Sequence, residues 1–185
     1  FVSGLTASDF RLFEDDVLQR ITNVADEDAP LEVVMALDIS ASMTGVIGDV
    51  RTSARTFIEA LRDRDALTIL GFNDNIFTVA RRETRLDSRI KALDRLAPWG
   101  STALYDVISR GVGLLQKQPG RKGLVLFSDG DDEASRLTFE AAERELQASD
   151  AVLYAVELGR GSRIADLKRR LERLSDTSGG RAVFA

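Results

Sequence analysis

Cysteine and histidine are both missing from these 185 residues. Without thiols the chain forms no disulfide and no thiolate metal site. Without imidazole it has no Ser-His-Asp or Cys-His nucleophile and no zinc centre built on histidine. No apolar run approaches the ~20 residues that cross a bilayer as a helix, so no membrane insertion is expected of this segment. Basic charge does not dominate either. Lys and Arg number 25 against 30 Asp and Glu, a net −5, which argues against nucleic acid because phosphate binding needs a positive surface. No G-x-x-x-x-G-K-[ST] occurs, which excludes a P-loop, and Gly111-Val112-Gly113 falls inside a helical pattern rather than a dinucleotide loop.

What is present is a hydrophobic fraction of 44% with 30% charged residues, enough to bury one sizeable core. The chain opens on Phe1, as expected of a segment of a longer protein whose leader would lie upstream. Residues 10–14 and 17–24 flank Asp15-Asp16 and read as a hairpin, so residues 1–29 form an N-terminal extended segment. Its apolar Phe10, Leu12 and Leu18 need cover from this domain or a neighbour. Asp26-Glu27-Asp28-Ala29-Pro30 is a polar linker into a main domain at 30–185.

In that domain, residues 31–38 are nearly all apolar, as in a central parallel strand buried on both faces. Further strands are expected at 66–72, 76–80, 123–128, 151–158 and 181–184. Helical spacing marks 46–62, 87–96, 103–117, 138–149 and 163–175. The link Asn73-Asp74-Asn75 is too short for a parallel crossover, so the strands at 66–72 and 76–80 should be antiparallel. Alternating strands and helices give an α/β class: a Rossmann-like, doubly wound, mostly parallel sheet with one antiparallel edge strand and helices on both faces.

Asp38-x-Ser40-x-Ser42 directly follows the strand at 31–38. Thr102 in Gly100-Ser101-Thr102 precedes a helix, and Asp129 follows the strand at 123–128. Ligands of such sheets bind beyond the carboxyl ends of the strands where crossovers diverge, so the three loops should converge there. Two carboxylates and three hydroxyls are hard oxygen donors, suited to Mg²⁺, with Mn²⁺ or Ca²⁺ possible, rather than zinc or copper. A shell rich in neutral hydroxyls leaves such a cation electrophilic toward a carboxylate from outside.

These segments, Asp38-Ile39-Ser40-Ala41-Ser42, Gly100-Ser101-Thr102-Ala103-Leu104-Tyr105-Asp106 and Leu126-Phe127-Ser128-Asp129-Gly130, resemble the von Willebrand factor type A domain and its metal-ion-dependent adhesion site. The resemblance covers about residues 31–185. It implies Mg²⁺ held directly or through water by Asp38, Ser40, Ser42, Thr102 and Asp129, and a protein or peptide partner offering a Glu or Asp carboxylate. Ser101 stands where many members have Gly. The opening Val2-Ser3-Gly4-Leu5-Thr6 … Asp9-Phe10 … Phe13-Glu14-Asp15 looks like the lead-in of a bacterial subgroup that is often exported, which implies a secreted, periplasmic or cell-surface home.

Plainer readings stand beside these. Ser40, Ser42 and Thr102 are also ordinary helix N-caps, and Asp129-Gly130 an ordinary turn. Asp106 orders its loop by hydrogen bonding. Asp131, Asp132 and Glu133 read as a solvated charge run. Arg160, Arg163, Lys168, Arg169, Arg170 and Arg173 make the last helix basic, either a solvated face or a docking surface for acid. Trp99 is either core or an exposed partner anchor.

Three functions compete. The first is a cation-dependent protein-binding, adhesion-type module, the reading adopted. The second is a structural or assembly domain within a larger protein. The third is an aspartyl-phosphate phosphatase with Asp38 as nucleophile. That enzyme normally carries a second Asp two residues on, where this chain has Ser40, and a hydroxyl cannot replace a carboxylate in proton transfer near neutral pH. The expectation is therefore that the protein is not an enzyme. Asp38 and Thr102 are expected to lie outside the core, so Ala at either should spare the fold.

Overall fold

The computed structural model describes residues 5–22, 24, 29–129, 131–157 and 164–184. The linker Asp26-Glu27-Asp28, the lead-in Val2-Ser3-Gly4, Gly130 and the segment with Arg160 and Arg163 lie outside the described residues.

After a short 3₁₀ turn at Ala7–Asp9 comes a two-stranded antiparallel hairpin, β1 (Leu12–Glu14) and β2 (Val17–Gln19). Its turn places Asp15 at φ 48° and Asp16 at φ 63°. Two successive positive φ values suit the twist of a tight hairpin, and Asp tolerates that region better than most residues. Among the described residues nothing supplies the cover its apolar residues need: Phe10, Leu12 and Leu18 stay 46%, 54% and 62% exposed.

The main sheet is built from β3 (Leu31–Asp38), β4 (Ala66–Phe72), β5 (Ile76–Glu83), β6 (Arg121–Ser128), β7 (Ala151–Glu157) and β8 (Arg181–Phe184), in the order β5-β4-β3-β6-β7-β8. All pairings are parallel except β4 with β5, as the short Asn73–Asn75 link requires. The β4–β5 register shifts around Leu67, Ile69 and Leu70, and Arg82 takes φ 45° nearby. That bulge carries β5 to Glu83, beyond the end at 80 expected from the sequence.

The run Val33–Leu37 in β3 is apolar throughout because both faces are covered. Val33, Met35 and Leu37 pack with Val50, Ala54 and Ile58 of α1 (Ile47–Ala60) and with Ala92 and Leu93 of α2 (Leu86–Leu93). Val34 and Ala36 pack on the opposite face, with Leu104, Val107 and Ile108 of α3 (Leu104–Leu115), Ala142 and Leu146 of α4 (Phe139–Gln147), and Leu167, Leu171 and Leu174 of α5 (Ile164–Thr177). Each fully buried aliphatic side chain contributes about 1.5–3 kcal/mol. Gly111 lets α3 approach β6 closely, since a Cβ there would lie 2.7 Å from Leu124 Cδ1. The doubly wound class holds, and β3 and β6 lie side by side, so the ends carrying Asp38 and Asp129 are neighbours.

Candidate metal centre

Asp38 is the last residue of β3 and is fully buried. Its Oδ1 accepts from Ser40 N at 2.8 Å and its Oδ2 from Ser128 Oγ at 2.6 Å. Residues 41–45 then form a short 3₁₀ turn that carries Ser42 to the surface, while Ser40 stays buried. Ser42 Oγ donates to Asp129 Oδ1 at 2.8 Å. With that proton committed, Ser40 is the donor in the 2.9 Å contact between the two serine hydroxyls. Asp38, Ser40, Ser42 and Asp129 are thus one continuous hydrogen-bonded chain opening to solvent at Ser42.

Thr102 joins through its backbone. Its carbonyl accepts from Glu133 N at 2.8 Å and Ala134 N at 2.9 Å. The same loop is fastened to the Asp38 segment by Trp99 N donating to Ile39 O at 2.7 Å and Ala41 N donating to Gly100 O at 2.9 Å. Buried Asn73 binds it from the other side. Its Nδ2 donates to Trp99 O at 2.9 Å, and its carbonyl accepts from Ala103 N at 2.9 Å.

Several sequence expectations change here. Thr102 does not cap α3. Ala103 holds the N-cap position, and Asp132 Oδ1 accepts from Leu104 N at 2.8 Å and Tyr105 N at 3.3 Å. Asp132 is therefore no member of a solvated charge run: it terminates α3 and also accepts from Ser135 Oγ. Asp106 does act by hydrogen bonding, but from the first turn of α3 and on the segment before α4, accepting from Arg136 N at 3.1 Å and Leu137 N at 2.9 Å. Asp38 and Thr102 are not outside the core, at 0% and 3% exposure, because β3 and the loop before α3 end beneath the rim. The basic residues of α5 are engaged locally. Arg173 clamps Glu143 through two contacts of 2.5 and 2.6 Å, Arg170 donates to Tyr105 Oη at 2.7 Å, and Lys168 lies 4.7 Å from the Phe184 ring.

Two residues that sequence reasoning missed belong to the site. Ser128, the last residue of β6, bridges to Asp38. Glu157, the last residue of β7 and paired with Ser128, is buried, and its Oε1 has no hydrogen bond among the described residues. Its signal was an acid closing an apolar strand one place along the sheet.

The electrostatics are one-sided. Burial pushes the Asp38 carboxyl up from 3.8 to about 6, the Ser128 and Ser40 donors offset only part of that, and the charge on Asp129 adds to it. Burial raises Asp129 too, against the Ser42 bond. Burial and then Asp129 raise Glu157. No cationic side chain among the described residues relieves any of the three. Among those residues no cluster of three or more His, Cys, Asp or Glu is disposed to hold a metal, so any cation here would depend on hydroxyls as well as on acids. The donor set of two carboxylates and three hydroxyls fits a hard divalent cation, which would supply the missing positive charge.

The folded chain can be compared with known proteins. It is similar to an aerotolerance-related membrane protein from Bacteroides fragilis, at 17% identity and a TM-score of 0.71 over 84% of this chain and 91% of that one. It is similar to a von Willebrand factor type A protein from Catenulispora acidiphila, at 19% identity and a TM-score of 0.67, covering 84% of this chain but 38% of the other. The PilB minor pilin from Streptococcus sanguinis aligns at 14% identity and a TM-score of 0.67, over 89% of this chain and 58% of the pilin. At these identities the likeness is one of fold. No curated protein matches the chain in sequence. The family model for the von Willebrand factor type A domain matches residues 32–185, most of the chain, and the protein therefore belongs to that family.

Proposed function

We propose that this domain is a divalent-cation-dependent protein-binding module. Domains of this family generally mediate protein–protein interaction or assembly. The observation that carries the finer reading is the pair of buried acids Asp38 and Glu157 on either side of half-buried Asp129, with no counter-charge among the described residues and with a hydroxyl chain from Asp38 that opens to solvent at Ser42. Asp38, Ser40, Ser42, Thr102 and Asp129 would hold Mg²⁺, with Mn²⁺ or Ca²⁺ as alternatives, and this is the metal-ion-dependent adhesion site of the resemblance. When bound, the cation would supply an electrophilic position for a partner's Glu or Asp carboxylate.

The protein's own residues prepare that position. Ser128 and Ser40 N fix the Asp38 carboxylate, Ser42 orients Asp129, and the Asn73 bonds hold the Thr102 loop against both. The residue two places beyond Asp38 is a serine, whose hydroxyl cannot act as general acid/base near neutral pH, which supports a binding role over hydrolysis. An extracytoplasmic setting, in a bacterial subgroup of the family, goes with this reading; the membrane protein and the minor pilin of similar fold lend it support. No described helix is long and apolar enough to cross a membrane. Residues 1–29 are taken as a lead-in to the domain at 30–185. A second reading, an assembly domain within a larger protein, is favoured by one observation, the uncovered apolar side chains of the β1–β2 hairpin.

Titration calorimetry with Mg²⁺ and Mn²⁺ tests the proposal, with Asp38→Ala as control. Saturable binding that the substitution removes is expected. Absence of binding, both alone and with a short carboxylate ligand present, would sink the cation-dependent reading and leave the assembly role.

A further inference from the structure

The geometry points to a cation-binding ledge beside the candidate metal centre, formed by Trp99, Phe77 and Asp74, which takes a Lys or Arg side chain of the same partner segment that offers the carboxylate. This rests on the reading above and adds a second specificity element to it.

Trp99 lies three residues before Thr102, and its backbone is pinned on both sides, by Ile39 O and by Asn73 Nδ2. Its side chain nevertheless remains 51% exposed, the choice that sequence left open between core and surface. Phe77, at the start of β5, is 41% exposed, with its ring centroid 6.3 Å from that of Trp99 and the planes tilted by 50°. Two large aromatics held rigidly at the surface lose little entropy on binding, and their faces attract either apolar groups or cations.

The neighbouring charge decides between these. Asp74 is exposed, and its Oδ1 would lie 2.5 Å from a Cβ at Gly100, the residue after Trp99, so it stands at the edge of the aromatic pair. No ion pair to Asp74 forms among the described residues. A guanidinium or ammonium laid over Trp99 meets ring face and carboxylate together, whereas an aliphatic side chain would desolvate Asp74 without return. The partner segment thus carries an acid for the metal centre and a base at a fixed offset from it.

Selection of a random dodecapeptide display library on the purified chain, in Mg²⁺ and in chelator, tests this. In Mg²⁺ the expected peptides carry Asp or Glu with Lys or Arg enriched at one fixed offset. Resynthesised peptides should lose about fivefold in affinity when that base becomes Leu. Trp99→Leu and, independently, Asp74→Asn should erase the offset-specific preference. Tyr154→Ser, which removes a comparably exposed aromatic from β7, should keep it. Acid-bearing peptides with no basic offset, with Leu preferred there, or with an offset that survives Trp99→Leu would overturn the ledge alone. Failure to select any acid in Mg²⁺ would overturn the carboxylate-capture reading together with the ledge.

Discussion

The two ends of the main sheet bury charge in opposite ways. At the amino end, Glu32 of β3 is clamped by Arg82 at 2.6 and 3.2 Å. Asp65 accepts from Leu31 N at 3.0 Å and Arg62 N at 2.8 Å. Arg89, 1% exposed, donates to the carbonyls of Glu83 at 3.0 Å and of Asp65. Acids and bases there answer one another within the chain. At the carboxyl end, Asp38 and Asp129 meet hydroxyls and backbone, Glu157 meets no donor at Oε1, and none of the three meets a base among the described residues. Burying a charge without a partner is costly, so the finished end is scaffold and the unfinished end is where an external cation has most to gain.

The sharpest way to break this contrast is at the finished end. Arg89→Met would strand the carbonyls of Glu83 and Asp65, and should cost ~3–5 kcal/mol in denaturant unfolding. The loss should be the same with and without Mg²⁺, because Arg89 lies far from the carboxyl end; a Mg²⁺-dependent loss would erase the distinction.

At the other end the sign reverses. The folded pKa of Asp38 lies above its ordinary value, 3.8 raised to about 6, so the folded state holds a proton that the unfolded chain has released. Its contribution to stability is therefore full below about pH 4 and is lost as pH rises through about 6, a difference of up to ~3 kcal/mol. Asp38→Asn should remove that slope and leave the metal-free protein more stable than wild type at pH 7, measured as the difference between the two pH–stability profiles. It should also abolish Mg²⁺ binding in calorimetry. A parallel pair of profiles would refute the charge argument.

Glu157→Gln is the milder version. The amide needs no counter-charge, and the metal-free protein should gain ~1 kcal/mol at neutral pH while Mg²⁺ binding weakens. If the variant binds Mg²⁺ as wild type does, Glu157 is outside the electrostatic unit. The smallest effect is expected of Arg82→Met, a slight drop in the thermal unfolding midpoint, smaller than the change in any other variant here, since Arg82 is half exposed and solvent screens its pair with Glu32.

Much of this contrast was legible in the chain itself. The β3 run, the short Asn73–Asn75 link and the three oxygen-bearing loops follow from local period and turn chemistry, and they fix the class and bring four of the five candidate oxygens into one bonded chain. What escaped depends on which strand lies beside which. Ser128 reaches Asp38 across 90 residues of sequence, and nothing local distinguishes it from any serine closing a strand. Asp132 looked like one of three solvated acids because its partner, the start of α3, lies 28 residues earlier. The burial of Asp38 and Thr102 was missed for a related reason: polarity suggests surface, but a strand end roofed by two other loops does not reach it.

The bulge in β5 has a consequence for self-association. An edge strand with a regular row of free N–H and C=O groups invites a second chain to add to the sheet. Here the shifted register around Ile69 and the left-handed turn at Arg82 interrupt that row, and the side chains of Arg81 and Arg82 add positive charge to it. The sheet cannot be extended in register past that point, so open-ended stacking of copies through this edge is blocked by the same irregularity that places Arg82 against Glu32.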